Sequence, residues 1–98
     1  MKILVGLRAQ PARGGTVILS FSLTKAAETS IKVRSLIGRE IAWIEERKQR
    51  MAGQNTVLWN GRDREGRPLP AGVYLIHATA TDEEGRQVSA VTTLRLTR

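Results

Sequence analysis

Cysteine is missing from this 98-residue chain, so neither a disulfide framework nor a thiolate metal site is available, and both a cytosolic and an exported home stay open. Histidine is reduced to one residue, His77. With no second histidine or cysteine beside it, His77 makes a poor metal ligand or general base, and no Ser/His/Asp relay can be assembled around it. Aromatic residues are only 4% of the chain. Long apolar runs are absent too: the longest early one, Ile3 to Val5 with Gly6 and Leu7, is too short for a signal-peptide core or a membrane span. Membrane insertion is therefore not expected, and export would depend on a larger parent protein or a dedicated apparatus.

Positive charge is what the chain has in excess. The formal net charge is +7, and arginine outnumbers lysine twelve to four. Such a balance suits nucleic acid, an acidic surface or a membrane face. These residues, however, stand singly among turns and strand-like stretches and form no block, the pattern of solvated outer strand faces.

The period-two signal recurs along the chain. Ile3, Val5, Leu7 and Ala9 predict a first edge strand buried on that side, followed by turn chemistry from Gln10 to Gly15 in which Pro11 breaks the ladder. Thr16 to Thr24 alternates cleanly, with Val17, Leu19, Phe21 and Leu23 on one face. After a connection over Lys25 to Thr29, Ser30 to Leu36 alternates again, and Gly38-Arg39 marks the return of a hairpin. Val73 to Asp82 turns Tyr74, Ile76, Ala78 and Ala80 inward. Asp82-Glu83-Glu84-Gly85 reads as a hairpin loop, and the last strand, Arg86 to Thr97, buries Val88, Ala90, Thr92, Leu94 and Leu96.

Glu40 to Ala52 carries conflicting signals. It contains strong helix formers, and Glu46 and Arg50 form a favourable i,i+4 pair. Its place after a hairpin favours a strand over Glu40 to Arg47 and then a mobile charged loop, with Trp43 pointing outward or covering an edge.

Trp59 to Tyr74, WNGRDREGRPLPAGVY, packs the most backbone instruction into the fewest residues. Gly61 and Gly66 accept positive φ, Pro68 and Pro70 fix φ and donate no hydrogen bond, and Asp63 begins a tight turn that ends at Gly66. The stretch predicts a structured corner joining two buried strands, with Trp59 and Tyr74 as its anchors. About seven strands at hairpin spacing, with no convincing crossover helix, predict an all-β antiparallel sandwich formed by residues 1–98 as one domain.

The motif W-N-G-R-D-x-x-G-x-x-L-P-A-G-V-Y, with Leu36-x-Gly38-Arg39-x-Ile41 upstream and Gly53-x-Asn55 before the tryptophan, resembles the immunoglobulin-like domain of flagellar hook-capping proteins. A similar module recurs at the C-termini of bacterial secreted and surface proteins. The resemblance runs from about Gly14 to Leu96. It implies an immunoglobulin-like or fibronectin type III-like β-sandwich serving as an assembly or spacer element outside the cytoplasm, at the cell surface or beyond it. Its structural signature is Trp59, Asn60, Gly61, Asp63, Gly66, Pro70, Gly72 and Tyr74.

No catalytic constellation, cofactor site or small-molecule substrate site is expected. Asn60, Asp63 and Glu65 supply oxygen atoms in a glycine-bearing loop, but they lack the alternating acids and closing glutamate of a calcium loop, so turn-stabilising hydrogen bonds are favoured over a metal. Two functions remain. The first is a structural module contacting its parent chain or copies of itself, with Trp43, Lys48, Arg50 and Met51 as candidate contacts. The alternative is a nucleic-acid binder using Arg47, Lys48, Arg50, Arg62, Arg64 and Arg67, disfavoured because Trp59 and Tyr74 are committed to the core and leave no stacking platform.

Overall fold

A computed structural model describes residues 2–97; Met1 and Arg98, which the expected domain includes, lie outside the described residues. Seven strands follow in order: β1 (Leu4–Pro11), β2 (Val17–Leu23), β3 (Ala27–Arg34), β4 (Glu40–Arg50), β5 (Gly53–Trp59), β6 (Gly72–Thr81) and β7 (Gln87–Leu96). A single 3-10 turn, Arg13–Gly15, lies between β1 and β2. The strands form two antiparallel sheets, ordered β1-β2-β5 and β4-β3-β6-β7. This is the immunoglobulin-like sandwich, two sheets closing on one core.

The alternation in β2 is the template for that core. Val17, Leu19 and Phe21 are fully enclosed, and they face Ile31, Val33, Ile76 and Ala78, which are equally buried in the opposite sheet. Burying such side chains is worth roughly 1.5–3 kcal/mol each, enough to make the inward register the one that folds.

Three expectations are corrected. Val5 faces solvent, 37% exposed, while Ile3 and Leu4 are buried. The cause is a register shift between Val5 and Arg8 around Gly6, which turns the early apolar residues over. Pro11 does not break the ladder but ends it, opposite Val17; β1 is an edge strand, where a missing N–H is tolerated. β3 begins at Ala27 rather than Ser30, because Ala27 and Thr29 continue its inward face.

β4 corrects the fourth. It runs to Arg50 with no charged loop, since Lys48, Gln49 and Arg50 pair with Thr29, Glu28 and Ala27. An interrupted register near Ile31 and a left-handed Arg47 (φ 51°) absorb the excess chain. The Ser30 hydroxyl accepts the Arg47 N–H at 3.0 Å, satisfying the amide that the bulge displaces. Pairing along β3 thus outweighs the local helix preference.

Candidate functional site

Trp59 ends β5 with its ring buried, and Leu69 and Tyr74 close over the same end of the sandwich. The Tyr74 hydroxyl donates to the Pro70 carbonyl at 2.7 Å, which lets a phenol sit in the core with its polar tip satisfied. Between these anchors the chain folds back on itself through an isolated Arg62–Pro68 bridge, and the Leu69 N–H donates to the Gly61 carbonyl at 3.1 Å. Gly61 is left-handed (φ 73°), and a Cβ there would overlap the carbonyl oxygen of Gly15. The corner is therefore pressed against the 3-10 turn, and only glycine permits that approach.

The polar residues of the motif bond within it. Asn60 Oδ1 accepts the Arg62 N–H at 3.1 Å. Asp63 Oδ1 accepts the N–H groups of Glu65 and Arg67 at 3.0 and 2.9 Å, and the Gly66 N–H donates to the Asp63 carbonyl at 3.0 Å. These bonds, the one from the Arg67 amide foremost, hold the Asp63 carboxyl below its ordinary range. Gly72, at φ 154°, opens β6 opposite Leu96.

The candidate contacts separate into two kinds. Trp43 is 40% exposed on the outer side of β4; its indole N–H donates to Glu40 Oε2 at 3.1 Å, and Lys32 Nζ lies 4.9 Å from the ring centre. Met51 is 76% exposed just beyond the end of β4, and Lys48 is exposed on it. Arg50 is engaged instead. It forms a fork with Glu45, Nη2 to Oε1 at 2.6 Å and Nε to Oε2 at 3.0 Å, and the buried Thr29 hydroxyl also donates to that carboxylate. The glutamate raises the guanidinium's proton affinity further. This Thr29-Glu45-Arg50 cluster escaped the sequence, because its members are brought together only by the β3–β4 register.

Four of the six residues of the basic set, Arg50 among them, are engaged within the module, while Arg47 and Lys48 are exposed on β4. Arg64 pairs with Glu40, Arg67 with Asp63 and Glu65, and Arg62 donates to the Gly66 carbonyl. Their cleft beside the corner, about 640 Å³ and open, is lined by these pairs together with Arg39, Pro70 and Tyr74. Among the described residues no group of three or more His, Cys, Asp or Glu is placed to hold a metal ion. His77 lies on the outer side of β6, paired with Lys32 and Val91, and no protein group reaches its buried Nδ1. Burial first, then the charges of Arg34 and Lys32, push its pKa down. Among the described residues no helix is long and apolar enough to cross a membrane.

The FlgD Ig-like domain family model matches residues 8–84. The chain belongs to that family. Among solved structures it is similar to FlgD from P. aeruginosa, at 22% identity and a TM-score of 0.70, over 92% of this chain and 69% of that one. FlgD from Xanthomonas campestris, studied for the hook capping essential for flagellar assembly, matches at 25% identity and a TM-score of 0.68, over 93% of this chain and 66% of that one. CopC from Methylosinus trichosporium OB3b shares the fold at 14% identity and a TM-score of 0.61, over 95% of this chain and 90% of that one. No curated protein matches the chain. This FlgD Ig-like domain spans about two thirds of the two FlgD chains it matches. Membership makes it a structural, assembly-type module.

Proposed function

We propose that this FlgD Ig-like domain, residues 1–98 folding as one unit, is a non-catalytic building module of a bacterial protein that works outside the cytoplasm and holds protein partners. The observation that carries this is the corner itself. Asn60, Asp63, Gly61 and Tyr74 spend their hydrogen bonds and their close approach on the module's own backbone, so the most instructive stretch of the sequence specifies a shape and leaves little for a ligand.

Partners are expected along β4 and the β3–β4 hairpin. Leu36 and Ile37 are 63% and 90% exposed at the hairpin tip, Trp43 stands midway, and Lys48 and Met51 follow at the far end. Exposed tryptophan and methionine among charged residues suit an interface. Arg50 supports this surface from beneath through Glu45 and is not expected to touch the partner.

A photoreactive side chain placed at position 43, in the bacterium that encodes the protein, tests this. Crosslinks to proteins located outside the cytoplasm are expected. Crosslinks confined to cytoplasmic proteins or to nucleic acid would overturn the proposal.

A further inference from the structure

The two sheets differ in what they turn outward. Along its strands the outer face of β1-β2-β5 carries one charge, Arg8, with Ser20 and Thr56 beside it and Ile18 and Leu58 one row on. On β4-β3-β6-β7 the pairing gathers Lys32, Arg34, His77 and Arg95 on one half of the outer face. Lys32 lies opposite His77, Arg34 opposite Leu75, and one row further Arg95 stands opposite Val73. Their neighbours along each strand, Ile31, Val33, Ile76 and Leu94 among them, are buried, which fixes these residues as the outward set.

This cluster is poorly compensated. The register sets Glu40 opposite Arg34, but that carboxylate is committed: it accepts the Trp43 indole N–H, pairs with Arg64 and lies 3.9 Å from Lys32. Arg34 and Arg95 form no ion pair among the described residues. Like charges gathered on one sheet face repel, so the arrangement costs the free module stability. His77 sits amid them with its buried Nδ1 unpartnered, and the charges of Arg34 and Lys32 both reach its imidazole. Aliphatic surface lies between the cations, with Leu75 partly buried and Val91 59% exposed.

We propose that this half-face docks an acidic, extended segment of a partner protein, its carboxylates on Arg34 and Arg95 and its aliphatic side chains over Leu75 and Val91. Lys32 and Arg34 stand two residues apart on one face of β3, about 7 Å, the spacing at which an extended segment presents alternate side chains. The aliphatic residues favour protein over a phosphate chain, which gains nothing by covering them. A nucleic acid also needs an aromatic platform, and the nearby indole of Trp43 has Lys32 over its ring. A second copy brings its own net +7 and is repelled, whereas an acidic partner is steered in by the same charge. The docking rests on the partner-holding role proposed above and supplies the partner's chemistry.

The chain has one histidine, so the His77 imidazole signals in NMR report on this face. A synthetic peptide alternating glutamate and valine, titrated into the full chain at low salt, is expected to shift them saturably, and added salt should weaken the binding. The charged groups facing the imidazole, Lys32 and Arg34 of β3, hold its pKa down; Trp43 on β4 and Val91 on β7 bring no charge. Bound carboxylates should therefore move its titration upward. Arg34→Glu and Arg95→Glu should each weaken binding by more than about tenfold. Arg8→Glu, the same charge change on the other sheet, should weaken it by less than about twofold. Thermal melts confirm folding, and Arg95, exposed near the end of β7, is the variant that disturbs the core least. A peptide that leaves His77 unmoved, an Arg95→Glu protein that binds as well as the parent, Arg8→Glu as damaging as Arg95→Glu, or equal binding of a glutamine-valine peptide would overturn the docking. So would tighter binding, at matched charge concentration, of single-stranded DNA or of phosphatidylglycerol vesicles. None of these results bears on crosslinks from position 43, and cytoplasmic crosslinks there would leave peptide binding intact, so the docking and the role fail separately.

Discussion

The corner loop Asp63-Arg64-Glu65-Gly66-Arg67 and the hairpin loop Asp82-Glu83-Glu84-Gly85-Arg86 differ at one position in five, and their backbones are bonded alike. In both, the aspartate carboxylate accepts the glutamate N–H at 3.0 Å and the arginine N–H at 2.9 Å. In both, the glycine N–H reaches the aspartate carbonyl at 3.0 Å, the aspartate N–H reaches the arginine carbonyl at 2.9 Å, and the glycine stands at φ 82° or 83°. Their surroundings differ. The Asp82 side chain is fully buried and meets Lys25 at 3.7 Å as well as Arg86 at 3.0 Å, whereas the Asp63 side chain is 19% exposed and its ion-pair partner Arg67 is 72% exposed. Five residues thus dictate a conformation, and burial decides how much stability depends on it. The hairpin loop closes two neighbouring strands of one sheet; the corner loop spans the two sheets and needs outside anchors.

Removing those anchors should separate the two loops most sharply. Trp59→Ala, which empties a buried site, is expected to cost about 3 to 5 kcal/mol. Amide exchange should show the loss of protection centred on Asp63–Arg67, with Asp82–Arg86 less affected. A melting temperature within a degree or two of the parent would contradict the clamp. Gly61→Ala should follow at about 1 to 3 kcal/mol, because its Cβ must displace the Gly15 backbone; urea denaturation measures it.

The aspartates come next. Asp82→Ala should lower the melting temperature at pH 7 more than Asp63→Ala, since it leaves the Glu84 and Arg86 amides without their acceptor in a buried setting. Acidification should narrow that difference. For Asp82, burial alone would raise the pKa, but the bonds from the Arg86 backbone and side chain and the Glu84 amide outweigh it and hold it low. The folded carboxyl therefore takes up a proton below the value of about 3.9 typical of the unfolded chain. Its contribution is full above that value and fades as pH falls through the folded pKa. Melts from pH 5 to pH 2 should show the parent losing stability faster than Asp82→Ala. Parallel curves would remove Asp82 from the acid response.

Much of this was legible in the sequence, and the exceptions have a common cause. The alternation of β2, β6 and β7 gave their inward faces directly, and the dense glycine and proline punctuation around Asp63 marked the corner. The strand reading of Glu40–Arg47 holds against a helix-like composition, and only its continuation through Lys48–Arg50 was hidden, because that depends on pairing with the start of β3. Val5 misled because one glycine bulge reverses a period-two pattern. The Thr29-Glu45-Arg50 cluster became visible only with the β3–β4 register. What a window of five residues controls was readable; what depends on which strands are neighbours was not.

The smallest effect is the strictest comparison. Gly66 and Gly85 share one left-handed conformation, and a Cβ added at either meets nothing within 4 Å. Packing is thereby removed from the substitution, which leaves only the backbone cost of placing an L-residue at positive φ. Gly66→Ala and Gly85→Ala should each lose about 1 kcal/mol, and by the same amount, although Asp63 and Asp82 differ so clearly in burial. Paired urea denaturation measures the two. Costs diverging by more than about 0.5 kcal/mol, beyond the usual error of adding independent sites, would mean that the surrounding sandwich strains one loop and not the other. The shared conformation would then be imposed from outside in at least one of them.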